Sequence, residues 1–291
     1  MANSITKFKK YIDLLDEVYK EASKTADLDG DATLVRAGAN ANEIIVPKMS
    51  LDGLADYSRN GGYVSGDVTL TNETVAFNYD RGRKFGVDAM DNEETAGVAF
   101  GKLSSEFIRT KVVPEVDAFR FATYAGISGI GKATAGTLST GADVIGALRT
   151  ATSAMDEAEV PMDSRILYIT PTLYGLVQDM DTSKSKEVLD RFAKVVLVPQ
   201  TRFYTAIDLN DGTTSGEEAG GYAKASAGKD INFMVIEKSA VLQYPKHIVN
   251  KVISPELNQE SDKWLFFYRE YGLADVYDNK VAGIYLHHKA S

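Results

Sequence analysis

The sequence predicts an α+β protein in which one long helix separates a strand-rich N-terminal part from an α/β C-terminal part. Three observations carry this. Residues 91–126 hold helical periodicity over a length far above the globular average of roughly 11–12 residues. Residues 57–88 alternate apolar and polar positions with period two. Beyond residue 143, helix and strand patterns alternate and then give way to aromatic strands.

Taken in order, Ser4–Lys24 reads as an amphipathic helix, with Ile5, Phe8, Ile12, Leu15, Tyr19 and Ala22 on one face. A polar stretch, Asp27-Leu28-Asp29-Gly30-Asp31, follows and reads as a solvated turn. Its Asp-x-Asp-x-Asp spacing begins like a calcium loop, but Ala32 and Gly38 stand where glycine and glutamate are needed. Glu43–Pro47 is a short extended segment. Across 57–88, Val68 and Leu70, then Val75, Phe77 and Tyr79, then Phe85 and Val87 alternate. Asn72-Glu73 and Asp80-Arg81-Gly82-Arg83 are read as turns.

Nothing adjacent supplies a covering layer for this hairpin, and a lone strand pair is marginal in water with edges that invite pairing. The expectation is an arm that lies on a second copy of the chain. Arg81, Arg83 and Lys84 form a basic cluster suited to a neighbour's acidic residues or to nucleic acid. Candidate subunit-contact residues are therefore Val68, Leu70, Asn72, Phe77, Arg81, Arg83 and Lys84, joined by Asp211 and Glu217 of a later loop.

The long helix has Asp91 or Asn92 as cap and Glu93-Glu94 in its first turn. Phe100, Leu103 and Phe107, then Val112, Val116, Phe119 and Thr123, form its stripe. Pro114 predicts a kink or a split, and Gly126 an end. Ile127–Gly141 is a flexible joint. Then come a helix (Asp143–Glu159), a strand (Ile166–Thr170), a helix from Pro171 to about Met180, and a strand (Val195–Val198). Asn210–Lys229 is a Gly-rich acidic loop, expected to be mobile or at a contact. Ile231–Glu237, Ile248–Ile253 and Trp264–Leu273 read as strands, with a short turn or helix at Ser239–Gln243. After a turn at Asp278-Asn279, Val276–His288 alternates as a closing strand that returns to flank the long helix.

Composition narrows the function classes. The 291 residues are 44% hydrophobic, enough for a real core, and the formal charge of -9 argues against a surface built to grip phosphates throughout. With no cysteine, disulfides, thiolate metal sites and cysteine nucleophiles are excluded. Gly126–Lys132 fits G-x-x-x-x-G-K, the start of a phosphate loop. Ala133 lacks the hydroxyl that would hold magnesium, however, and the segment follows a helix, so a hinge is the better reading. His247, His287 and His288 lack metal-ligand spacing and read as surface or edge residues. Glu93-Glu94 and Glu217-Glu218 have no partner base in sequence, and no serine sits in a nucleophile elbow. No catalytic constellation or cofactor is expected, and no apolar run reaches membrane-spanning length.

GDVTLTNETVAFNYDRGRKFGVDAMDNEETAG and FIRTKVVPEVDAFRFATYAG resemble the extended loop and spine helix of tailed-bacteriophage major capsid proteins of the Hong Kong 97-type fold. ILYITPTLYGLVQDM is similar to their axial domain and KVAGIYLHHK to the closing strand of their peripheral domain. The resemblance implies an N-terminal arm (1–50), an extended hairpin (51–90), a peripheral domain (91–135 and 262–291) and an axial domain (136–261). It implies self-assembly through pentamers and hexamers into an icosahedral shell around double-stranded DNA. It further implies a scaffolding protein and a portal as partners, no membrane, assembly in a bacterial cytoplasm and residence in the virion. An encapsulin-type nanocompartment shell is the alternative within the fold. A nucleotide enzyme using Gly126–Lys132, or a soluble binding module with a free arm, are the alternatives outside it.

Overall fold

A computed structural model describes residues 23–30, 36–37, 43–90, 98–180 and 187–290, with the side chains of 36–37 and 98–102 excepted. The predicted N-terminal helix and the Asp91–Glu94 cap lie outside the described residues. Helix α1 (Val98–Phe107) runs through a π-turn (Ile108–Val112) into α2 (Val113–Gly126). The helix does not split. Pro114 sits in the first turn of α2, directly after the wide turn, where a missing N–H is most easily absorbed. Ile108, Val112, Val113 and Val116 are buried, with Leu103, Phe107 and Phe119 packed beside them.

They pack on a three-stranded antiparallel ladder. Its strands are β4 (Tyr79–Asp88), β11 (Val241–Ile253) and β12 (Lys263–Val276), in the order β11-β12-β4. Tyr79, Phe266 and Tyr268 supply its side of the contact. The predicted turn at Asp80–Arg83 is corrected: those residues are continuous strand, paired from Asp80↔Tyr271 to Arg83↔Tyr268. Gly82 serves close approach rather than a turn, since a Cβ there would lie 2.8 Å from the Tyr268 carbonyl oxygen.

The predicted hairpin is corrected as well. β3 (Val68–Ala76) pairs not with β4 but with β2 (Glu43–Leu51), from Glu43↔Ala76 to Leu51↔Val68. Asn72-Glu73 is mid-strand, and the connecting loop is 52–67. Pro47 made β2 look short in sequence. Beyond the two-residue β1 (Arg36–Ala37), which meets only Ile44 and Ile45, the described β2 is an edge, where proline costs no ladder bond.

The remaining chain builds a five-stranded sheet, β5-β13-β10-β6-β7. Its strands are β5 (Gly131–Lys132), β6 (Arg165–Ile169), β7 (Lys194–Leu197), β10 (Ile231–Glu237) and β13 (Ile284–His288). Helices α3 (Gly141–Glu157) and α4 (Pro171–Gln178) cover one face, with Val144, Leu148, Leu173 and Val177 against Leu167, Phe233 and Val235. Thr140 and Asp143 form a reciprocal capping box on α3. The other face meets Phe121, Tyr124 and Phe203. Ile284–His288 is in this sheet, between β5 and β10, and its Ile284 and Leu286 share a buried cluster with Phe121, Tyr124 and Ala125 of α2. Val281 and Gly283, read as strand, belong to a 3-10 turn (Asp278–Gly283). The predicted Gly-rich loop contains a strand, β9 (Tyr222–Lys224), paired with β8 (Ile207–Leu209) just before it.

Candidate subunit-contact surface

Strand alternation makes the β2–β3 hairpin two-faced. One face carries Ile44, Val46 and Lys48 beside Val75, Glu73 and Thr71. Ile44 and Val75 are buried with Leu242 and Leu273 of the ladder, flanked by Val46, Phe77, Tyr244 and Tyr277. The root is reinforced by polar contacts. Lys48 meets Asp278 at 3.3 Å. Asn78 donates to the Ala274 carbonyl at 2.8 Å and accepts from the Ala274 amide at 3.1 Å, standing in for a strand residue where β4 begins. Phe77 stacks on Tyr271 at 4.9 Å, with the Lys246 ammonium 4.7 Å from the Phe77 ring.

The opposite face pairs Met49 with Leu70 and Leu51 with Val68 across the strands. These four side chains are 59–66% exposed. In the loop, Leu54, Tyr57, Tyr63 and Val64 are exposed too, with Tyr57 and Tyr63 rings 4.8 Å apart over the Ser58–Gly62 bridge. This run of apolar side chains is turned away from the described body and left uncovered by it. Val68 and Leu70, candidates from the sequence, lie on this exposed face. Met49, Leu51, Leu54, Tyr57, Tyr63 and Val64 were missed, although Met49 and Leu51 continue the same period-two signal through β2.

The other predicted contact residues are placed differently. Asn72 is exposed opposite Pro47, next along the same face. Phe77 is in the root. Arg81 donates to Glu115 Oε1 at 2.8 Å and to the Gly221 carbonyl at 3.2 Å, so its acid partner is within the chain. Arg83 donates to the Glu218 carbonyl at 2.9 Å and lies against Gly212 and Gly220, where Cβ atoms would come within 2.8 and 3.1 Å of its guanidinium. Both glycines have positive φ, so they serve conformation and proximity at once. Lys84 lies 5.6 Å over the Phe267 ring. Arg81 and Arg83, but not Lys84, therefore strap the Gly-rich loop to β4 and wall a groove of about 680 Å³ lined by Phe85, Leu103, Phe107 and Tyr268.

Asp211 and Glu217 shape that loop from inside. Asp211 accepts from the amides of Thr213 and Thr214 and from the Thr214 hydroxyl, which holds its carboxyl well below the usual range, and its own amide donates to Glu217.

Three further expectations change. The stretch at Asp27–Asp29 is not a solvated turn: Leu28 is in the main core and Asp117, fully buried, gathers its approach. Asp117 accepts from Ser23 Oγ at 2.9 Å, the Lys24 amide at 3.0 Å and Thr25 Oγ1 at 2.9 Å, and pairs with Arg202 at 3.2 Å. Gln243 donates to the Thr25 carbonyl and to Asp29, and Tyr124 donates to Gln243. Secondly, Gly131 and Lys132 are strand, parallel to β13, and open no helix, which removes the geometry a phosphate loop requires. Thirdly, His287 is buried against Phe233 and bonded to Asn232, not a surface residue. Among the described residues, no group of three or more acids or histidines is placed to hold a metal. No described helix is long and apolar enough to cross a membrane.

No protein-family model matches the sequence, and no curated protein matches it. Solved structures do. The chain is similar to a virus-like particle from Pyrococcus furiosus (10% identity, TM-score 0.59, covering 97% of this chain and 99% of that one). It is similar to the capsid of the Cyanophage P-SCSP1u (14% identity, TM-score 0.54, 88% and 86%). It is also similar to the capsid of Myoviridae phage XM1 (12% identity, TM-score 0.54, 88% and 89%). The chain has the mixed α+β fold of phage capsid chains over nearly its full length.

Proposed function

We propose that this chain is the major capsid protein of a tailed bacteriophage, self-assembling into an icosahedral shell through pentamers and hexamers. Likeness to capsid chains over 88% of this chain carries the reading. The hairpin supplies its physical rationale. A projecting strand pair with Met49, Leu51, Val68 and Leu70 uncovered has no partner among the described residues, and a second copy offers one. Individually weak contacts suffice, since each subunit engages several neighbours and closure accumulates them.

In Hong Kong 97-type terms, the peripheral part is the long helix with the β11-β12-β4 ladder and the axial part the five-stranded sheet with α3 and α4, which moves β4 and β11 into the first, and β5 and β13 into the second, relative to the bounds expected from sequence. Double-stranded DNA inside, a scaffolding protein and a portal as partners, and assembly in a bacterial cytoplasm complete the proposal. Likeness to a virus-like particle favours a second reading, a compartment shell of encapsulin type. Negative-stain microscopy and sedimentation of the purified chain test the proposal, with closed shells expected. A chain that stays monomeric at high concentration, with residues 52–67 protected from protease, overturns it. Genomic DNA in shells purified from infected cells supports the phage reading, and a cargo protein the compartment reading.

A further inference from the structure

The loop that joins β2 to β3 is pinched at one point. The Gly62 amide donates to the Ser58 carbonyl at 2.7 Å and the Ser58 amide to the Gly62 carbonyl at 3.2 Å, and Arg59, Asn60 and Gly61 stand out between them. All three are exposed, and Gly62, with φ of 77°, supplies the left-handed residue that lets the turn close. Asn60-Gly61 is the only Asn-Gly step in the sequence. The Asn60 carboxamide has no bonding partner among the described residues. The Gly61 amide has one, the Ser58 hydroxyl at 3.1 Å, and takes no part in the backbone pairing on either side. Space around Gly61 is open as well: beyond its chain neighbours, a Cβ there would meet nothing nearer than Ser58 Oγ, at 3.4 Å.

We infer that Asn60 is a self-modification site, converting to aspartate or isoaspartate, and that the Ser58 hydroxyl restrains the reaction. The Gly61 nitrogen, its proton lost to base, attacks the carboxamide carbon Cγ of Asn60. A bond forms between that nitrogen and Cγ, the Cγ–Nδ2 bond breaks, and the departing nitrogen takes up a proton and leaves as ammonia. The resulting succinimide ring is opened by water at either carbonyl, giving aspartate or isoaspartate. Nothing is oxidised or reduced, and water is the only co-reactant. Glycine permits the approach because it has no side chain to obstruct ring closure. Asn72 and Asn210, by contrast, are followed by Glu73 and Asp211. Ser58 acts in the opposite sense: while the Gly61 N–H donates to its Oγ, that nitrogen keeps its proton and is held from attack. The product adds one negative charge to the formal -9 and sets it in the loop between Tyr57 and Tyr63. The reaction belongs to the single chain and goes beyond the shell reading.

The test keeps the full chain dilute in mildly alkaline, ammonium-free buffer at physiological temperature and follows residues 60–61 by peptide mass spectrometry. A gain of about one dalton at Asn60, divided between two chromatographic isomers and matched by released ammonia, is the expected result. Ser58→Ala should convert several-fold faster than the unaltered chain, and Gly61→Ala should all but stop the reaction. Trp264 fluorescence checks that each variant keeps the folded body, and a synthetic peptide of residues 55–66 sets the unrestrained rate. Asn60 unchanged in Ser58→Ala over the time in which the peptide converts overturns the inference. So does conversion at one rate with and without the Ser58 hydroxyl, or faster conversion at another asparagine. Sedimentation of the same samples reports assembly separately, so absence of shells bears on the shell reading and not on Asn60.

Discussion

Replacing Val68 and Leu70 together by threonine tests the contact surface with little disturbance of the strand. Threonine is β-branched and keeps strand propensity, while the apolar surface is lost. Met49, Leu51, Val68 and Leu70 are each about three-fifths exposed. Together they offer on the order of 400 Å² of apolar surface, about half the roughly 800 Å² that one partner contributes to a standard interface. The double substitution removes roughly 100 Å² of it. That corresponds to about 2.5 kcal/mol per contact, or about sixtyfold in an association constant. Because each subunit makes several such contacts, the threshold concentration for assembly should rise by at least that factor. Neither side chain is covered in the single chain, so its own stability should move by no more than about 0.5 kcal/mol. Light scattering against concentration reads the first quantity and urea unfolding under dilute conditions the second. Assembly at an unchanged threshold, or a large loss of single-chain stability, would refute the assignment of this face to a neighbouring copy.

Three more expectations follow from buried features. Asp117→Ala leaves Arg202 and the Ser23–Thr25 donors without their acceptor. It should cost about 3–5 kcal/mol, read by urea unfolding, and expose residues 23–30 to protease. His287 accepts from Asn232 through Nδ1, and burial, then His288, lower its pKa below 6.5. Its contribution is complete above pH 6.5, declines as pH falls from there to the lowered folded value, and then levels off. His287→Gln should flatten that slope in unfolding midpoints measured across the range. Gly141→Ala would place a Cβ 2.3 Å from the Leu176 carbonyl oxygen, so the α3–α4 packing must shift, at about 1–3 kcal/mol by calorimetry.

Much of the fold was legible because its elements keep clean periods. Ile231–Glu237, built on the apolar Phe233–Ile236, is buried throughout, and α3 starts at a capping box written in Thr140 and Asp143. Pairing was less legible, because a period-two pattern says which residues share a face and nothing about which strand lies alongside. β3 and β4 read as partners since they adjoin, yet the first pairs backward with β2 and the second far forward with β12. Arg81 and Arg83 looked like turn residues beside Gly82, whose real office is to let the Tyr268 carbonyl come close. For the contact surface, Val68 and Leu70 could be read as outward-facing. Their cross-strand mates Met49 and Leu51 continue the alternation of β2 but are easily passed over, because Pro47 reads as the end of the strand before them. The buried role of Asp117 left no sequence signal, since its partners come from segments about ninety positions away on either side.

The π-turn at Ile108–Val112 inserts one residue beyond the regular helical count, and the ladder-facing side chains step from Phe107 and Ile108 to Val112 and Val113, five positions for each, where four would be ordinary. The two halves of the beam are thereby rephased. Leu103 and Phe107 before it and Val112 and Val116 after it all meet the same ladder, while Asp117, Arg120 and Tyr124 are turned toward the N-terminal segment and the main sheet. An uninterrupted helix of the same composition would rotate one of those allegiances by about 100°. The irregularity is thus a phase corrector, letting a single rod serve two differently oriented layers.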